Sequence, residues 1–133
     1  MIVEFSLQTG REGFYNISSS VAKAAMDFYN IEKKNEAECL VFCPHTTAGI
    51  TINENADSDV VHDMLLGLAA AFPVRNEFRH AEGNSHAHLK ASCVGSSARV
   101  IVRNGGLLLG TWQGIFFCEF DGPRSRKYFV QIR

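Results

Sequence analysis

Hydrophobic and polar residues alternate first along residues 2–8, where Val3, Phe5 and Leu7 oppose Ile2, Glu4 and Ser6. A period of two gives a strand one dry and one wet face. Gly10 to Gly13 read as a turn, and residues 14–17 as a second short strand. The period then changes. Val21, Ala24, Ala25, Phe28 and Tyr29 fall three, four, seven and eight apart, which predicts an amphipathic helix with Ser18 to Ser20 as caps and an end near Asn30. Residues 39–43, CLVFC, are an apolar run of strand length, read as buried on both faces, and residues 51–54 are short and polar. A second helix is predicted from Asp57 to about Phe72, with Asp57 and Ser58 as caps, Val60, Val61, Met64, Leu65, Leu68, Ala69 and Phe72 as its stripe, and Pro73 as its stop. A short third helix starts near Asn84 or Ser85 and ends at Gly95-Ser96.

The last third is the richest in sheet signals. Val100 and Val102 share a strand face, Asn104-Gly105-Gly106 tolerates the positive φ of a tight hairpin, and Leu107 to Leu109 resume the apolar pattern. Gly110, Thr111, Trp112 and Gln113 precede a further strand through Phe117, and Tyr128, Val130 and Ile132 form one face of a final one. The Trp-Gln corner has two readings. Either the Trp is core and the Gln satisfies a backbone group, or Gln113 lines a pocket. Six or seven strands against two or three helices, with hairpins outnumbering βαβ units, define an α+β domain with a mainly antiparallel sheet system. Its edge strands need cover, which a compact oligomer supplies.

Composition narrows the classes. A chain of 133 residues is one domain, and its 46% hydrophobic and 20% charged residues suit a packed core. A formal net charge of −1 carries no basic footprint for nucleic acid, and no apolar run has the length of a membrane span. Met1-Ile2-Val3-Glu4 enters a strand with no basic region or cleavage site, so a cytoplasmic location is expected. Cys39, Cys43, Cys93 and Cys118 lie in apolar stretches without a CxxC pair, which favours reduced, buried thiols.

The chemistry-bearing residues gather in two stretches, His45-Thr46-Thr47 and His80 to His88. On a helix His86 and His88 lie about 200° apart and cannot share a site. His45, His80 and His88 are therefore the candidate triad for a divalent transition metal, zinc first, with Glu82 beside them as ligand or general base. Solvated or core-satisfied histidines fit the spacing equally well. His62, midway along the second helix, reads as a surface or structural residue. The same two stretches could hold an anion instead: Thr46, Thr47 and Ala48-Gly49 offer hydroxyls and approachable amides, the Asn84-Ser85 helix start offers a positive dipole end, and Lys90 or Arg124 adds charge. Against this stands the plain reading of Thr46 and Thr47 as caps within a turn.

His45-Thr46-Thr47-Ala48-Gly49, Asn53-Glu54, Glu82-Gly83-Asn84 with His88, Ser97 with Val100, Val102 and Gly105, Gly110-Thr111-Trp112-Gln113 with Ile115, and Asp121-Gly122-Pro123-Arg124 together resemble the YjbQ family. This is also called the secondary thiamine-phosphate synthase family. The resemblance spans about Phe5 to Ile132 and implies a β-sandwich-like α+β fold, a homotrimer and weak thiamine-phosphate synthase activity. It maps recurring polar residues onto His45, Thr46, Asn53, Glu54, His80, Glu82, Asn84, His88 and Gln113. Two functions follow as expectations. In one, His45, His80 and His88 hold a metal, Glu82 or Glu54 moves protons, and Thr46, Thr47, Asn53, Asn84 and Gln113 fix a small, phosphorylated substrate. In the other, a non-catalytic trimer binds a metal or small ligand.

Overall fold

A computed structural model describes residues 1–133. The elements run β1 (Ile2–Gln8), β2 (Gly13–Asn16), α1 (Ser18–Glu32), β3 (Glu36–Phe42), β4 (Ala48–Glu54), α2 (Ser58–Ala71), α3 (Ser85–Val94), β5 (Ser97–Arg103), β6 (Gly106–Leu107), β7 (Gln113–Glu119) and β8 (Ser125–Ile132). All strand pairings are antiparallel. They build a five-stranded sheet, β1-β8-β3-β5-β6, and a three-stranded sheet, β2-β7-β4. The fold is α+β, as the hairpin-rich pattern predicts.

The alternation in the strands explains the layers. Cys39, Val41, Val100, Val102, Tyr128, Val130 and Ile132 of the larger sheet meet Ile50, Ile115 and Phe117 of the smaller one, and α1 adds Val21, Ala24, Ala25 and Phe28 to the same core. Strand β7 is buried on both faces, because Phe116 and Cys118 point the other way and pack with Phe120 on Ala87 and Ala91 of α3. The smaller sheet is thus a middle layer, and α3 lies across its outer face. Asn104 (φ 50°) and Gly105 (φ 78°) close the β5–β6 hairpin with the positive φ values expected there.

Several sequence expectations are corrected. Residues 48–54 form a full strand, β4, paired along β7 from Ala48↔Glu119 to Glu54↔Gln113. Its polar Thr51, Asn53 and Glu54 hide the strand because only the Ala48–Ile50 end is deeply covered. The 39–43 run is buried on one face: Cys39, Val41 and Cys43 are inside while Phe42 is exposed. Trp112 is 65% exposed and belongs to no core, whereas Gln113 does satisfy a backbone group, accepting from the Gly110 N–H at 2.8 Å. Three cysteines are buried but Cys93 is exposed. Burial pushes the Cys39 and Cys43 thiols up to about 11.

Helix α2 begins as predicted, Asp57 accepting from the Asp59 N–H at 2.9 Å. None of its stripe is buried, however, and Leu66 is 63% exposed. Amphipathic spacing reports that a helix has an apolar side, not what covers it. No helix is long and apolar enough to cross a membrane.

Candidate functional site

One end of the two-sheet core is closed by charge. Glu119, fully buried on the inward phase of β7, meets Arg126, the second residue of β8 and on that strand's inward phase. Arg126 donates from Nε to Glu119 Oε2 at 2.7 Å and from Nη2 to Thr47 Oγ1 at 2.8 Å. Thr9 Oγ1 donates to Glu119 Oε2 at 2.7 Å, and the Asp121 N–H to Oε1 at 2.9 Å. Burial raises the Glu119 carboxyl, but the hydrogen bonds from Arg126, Asp121 and Thr9 outweigh it and hold the group below the usual carboxylate range.

Above this plug lies a polar hollow of about 360 Å³ walled by Pro44, His45, Thr46, Thr47, His80, Glu82, Asn84, His88, Arg124 and Arg126, with the Pro44 ring the one apolar side chain among them. His45 to Thr47 arrive on the β3–β4 loop, and Asn84 and His88 on the start of α3. The rings of His80 and His88 stand edge to face with centroids 5.4 Å apart. His86, two residues along the helix, lines neither this hollow nor the two that adjoin it at His88. The helical phase argument separates the pair as expected.

Asn84 heads α3 without capping it; its side chain turns instead to Asp121, Nδ2 donating to Oδ2 at 2.8 Å. The first-turn amides of α3 therefore have no side-chain cap. Arg124 donates from Nη2 to the same Asp121 oxygen, Oδ2, at 2.7 Å. Burial raises the Asp121 carboxyl, and the bonds from Asn84 and Arg124 reverse that and hold it low. His45 Nε2 accepts from the Lys127 N–H at 2.9 Å. Burial, helped by the Arg126 charge, keeps the His45 imidazole below its ordinary value and neutral at pH 7.

Seven of the ten predicted site residues share the hollow: His45, Thr46, Thr47, His80, Glu82, Asn84 and His88. Three do not. Asn53, Glu54 and Gln113 lie at the far end of β4 and β7, six residues from Ala48, or about 20 Å along a strand. There Asn53 Oδ1 accepts from the Glu54 N–H at 2.7 Å, Gln113 serves Gly110, and Glu54 borders a separate hollow with Asn55 and Asp57. Neither Glu54 as a proton carrier nor Gln113 as a substrate contact reaches the histidines of its own chain. The metal reading meets a geometric obstacle as well. No three His, Cys, Asp or Glu side chains stand close enough to hold an ion, and His45 Nε2 is already engaged by Lys127. The donor set does not fit a three-ligand site.

Arg124, one of the two cations proposed for an anion, is in place; Lys90 is not, being 3% exposed and bound to Glu12 at 2.6 Å. The sequence reading missed Arg126, Glu119 and Asp121. A signal existed: Glu119 and Arg126 are opposite charges on the inward phase of otherwise apolar strands, and such a charge needs a buried partner.

A two-sheet antiparallel domain with one polar, histidine-rich hollow at the head of a short helix defines the class. The chain belongs to the YjbQ family: residues 3–133 match the family described as UPF0047 protein YjbQ-like. It is 45% identical to UPF0047 protein MJ1081 of Methanocaldococcus jannaschii over 99% of this chain and 94% of that one. It is 61% identical over 94 residues to UPF0047 protein YugU of Bacillus subtilis, covering 70% and 71% of the two chains. Among solved structures, an uncharacterized conserved YjbQ/UPF0047 family protein of Clostridium acetobutylicum superimposes with a TM-score of 0.91 at 53% identity, over 98% of this chain and 99% of that one.

Proposed function

We propose that the polar hollow is an acid–base site for a small phosphorylated molecule, in keeping with the thiamine-phosphate synthase-like chemistry that the family resemblance implies. One observation carries this reading: three of the five histidines, both threonine hydroxyls of the β3–β4 loop, two guanidinium groups and the start of α3 line one hollow in which the Pro44 ring is the one apolar side chain. Uncapped first-turn amides and Arg124 suit phosphate oxygens, which helix N-termini bind through N–H groups and the helix dipole. His88 borders all three adjoining hollows, so it meets a ligand wherever the ligand seats, and His80 stands beside it as proton partner. Neutral His45, with Nε2 engaged by Lys127, orients rather than transfers.

The test is binding of inorganic phosphate and pyrophosphate followed by NMR. His88→Ala is expected to weaken binding by about tenfold, or ~1.4 kcal/mol, while His86→Ala leaves it nearly unchanged. Equal effects of the two substitutions would remove the hollow from consideration. Zinc is judged in the same preparation by elemental analysis of untagged protein; a stoichiometric ion lost in His88→Ala but kept in His86→Ala would replace the phosphate reading with a metal one.

The protein is also expected to self-associate, as a trimer by family resemblance and in the cytoplasm. Support comes from α2, whose Val61, Met64, Leu65 and Leu68 stripe is only half-buried although Val61 and Leu68 touch the Phe116–Phe120 cluster, and from the exposed Leu66, Val74 and Trp112. That much exposed apolar surface on so short a chain marks an interaction face. Light scattering at micromolar concentration should return three times the 14.7 kDa chain mass, and a monomer would contradict the expectation.

A further inference from the structure

The side chains around the hollow divide by whether their hydrogen-bonding capacity is already used within the protein. Arg126 is 6% exposed and has three nitrogens; Nε and Nη2 are committed to Glu119 and Thr47, and Nη1 makes no protein bond. Its orientation is not free. The Glu119 carboxylate grips the guanidinium at Nε and Nη2 together, which fixes the plane of the fork and the direction of the remaining donors.

Asn84 is the complementary case. It is 8% exposed, both its hydrogen-bonded contacts are made by Nδ2, to Asp121 at 2.8 Å and Glu82 at 3.4 Å, and its Oδ1 is buried with no donor at all. The amide cannot be reversed to cure this, because Oδ1 would then face two carboxylates. A buried acceptor left unpaired is costly, by about 1–3 kcal/mol, and native proteins rarely keep one without a reason. Both side chains wall the same hollow, and both are tied to the β7–β8 turn, Asn84 through Asp121 and Arg126 through Glu119. The guanidinium charges are matched by Glu119 and Asp121, and Glu82 adds a further carboxylate. Recognition therefore depends on directed hydrogen bonds and not on an excess of positive charge.

We infer that Arg126 and Asn84 form a fixed donor–acceptor pair that selects phosphate esters carrying a hydroxyl or amino donor a few bonds from the phosphorus. The anionic oxygen takes the free Arg126 Nη1 donors, and the neighbouring O–H or N–H satisfies Asn84 Oδ1. Phosphate lacking such a donor leaves Oδ1 orphaned, so the discrimination comes from the cost of an unpaired buried acceptor. This inference rests on the reading of the hollow as a phosphate site and adds the substrate class.

Calorimetric titration of the full chain with glycerol phosphate and with methyl phosphate tests it, since the two differ in the hydroxyl donors. The wild-type protein should bind glycerol phosphate about tenfold more tightly. Asn84→Ala should bring that ratio to about one. Arg126→Lys should weaken both esters alike and keep the ratio; if it fails to fold by thermal melting, the Asn84 arm decides alone, because a ratio measured within one variant is insensitive to partial loss of folded protein. Equal wild-type binding of the two esters would overturn the donor–acceptor pair and leave the phosphate site standing. An unchanged ratio in Asn84→Ala would do the same. Binding of neither ester would overturn the phosphate reading itself and this inference with it. Binding abolished by a chelator would show that the esters are held through a metal ion, which also overturns the inference.

Discussion

Glu119→Ala is expected to destabilise the protein by about 3–5 kcal/mol, because it leaves the Arg126 guanidinium buried without its counter-charge. For a chain of this size that corresponds to a fall in Tm of roughly 10–20 °C. Calorimetry or circular dichroism reads it directly, and a loss below about 1 kcal/mol would show that water reaches the pair. The double replacement Glu119→Leu with Arg126→Met should recover much of the loss, since two apolar side chains of similar volume need no partner. The same pair shapes the acid limb. The Glu119 carboxyl lies below its ordinary value in the folded protein, so its contribution is complete above about pH 4.3, where the unfolded group is ionised, and is lost as pH falls through the depressed folded value. His45, also depressed, acts earlier and in the same direction. Its stabilisation is complete above about pH 6.5 and declines below that as the unfolded chain takes up a proton that the folded one resists. Stability should thus fall in two steps on acidification, and Glu119→Gln should shrink the second, to which the depressed Asp121 carboxyl also contributes.

Gly49→Ala should damage stability and site together. A Cβ there would stand 2.5 Å from the Gly95 carbonyl oxygen and 3.1 Å from Val94 Cγ1, at the point where the end of α3 docks on β4. The Ile50 N–H donates to that same Gly95 oxygen at 3.0 Å, so the backbone cannot retreat without breaking the bond. We expect a cost of about 1–3 kcal/mol from overpacking. Because α3 carries Asn84 at its head and His88 one turn in, its displacement should also weaken phosphate binding by roughly tenfold, ~1.4 kcal/mol. Gly67→Ala is the control. Nothing lies within 4 Å of its Cβ on the exposed side of α2, and replacing a helical glycine there should stabilise by about 0.5–1 kcal/mol. A Gly49→Ala protein with wild-type melting and binding would mean that α3 is not anchored here.

The elements whose burial is one-sided were legible in the chain. The β1 alternation, the α1 spacing, the Asp57 cap and the Asn104-Gly105 hairpin each depend on residues close in sequence, so local propensity and tertiary packing agree. Strand β4 is hard to see in the chain because its exposed half is polar, and one of the two readings of the Trp-Gln corner puts Trp112 in the core because a large aromatic flanked by sheet is usually buried. At the site, helical phase alone separated His88 from His86.

The fold class and the short helix that presents His88 can be read from the chain alone, because helix phase, turn chemistry and strand period are properties of neighbouring residues; that the β3–β4 loop brings His45, Thr46 and Thr47 against His80, Glu82, Asn84 and His88 is the work of tertiary packing. The tertiary structure decided that Asn53, Glu54 and Gln113 end up about 20 Å away along β4, since the antiparallel β4–β7 register sends them to the opposite end of the sheet. It also decided that Arg126 faces the hollow with one nitrogen free. That depends on Glu119, seven residues away, arriving on the adjoining sheet at the one depth where its carboxylate can grip the guanidinium. No local pattern encodes a distance between two sheets.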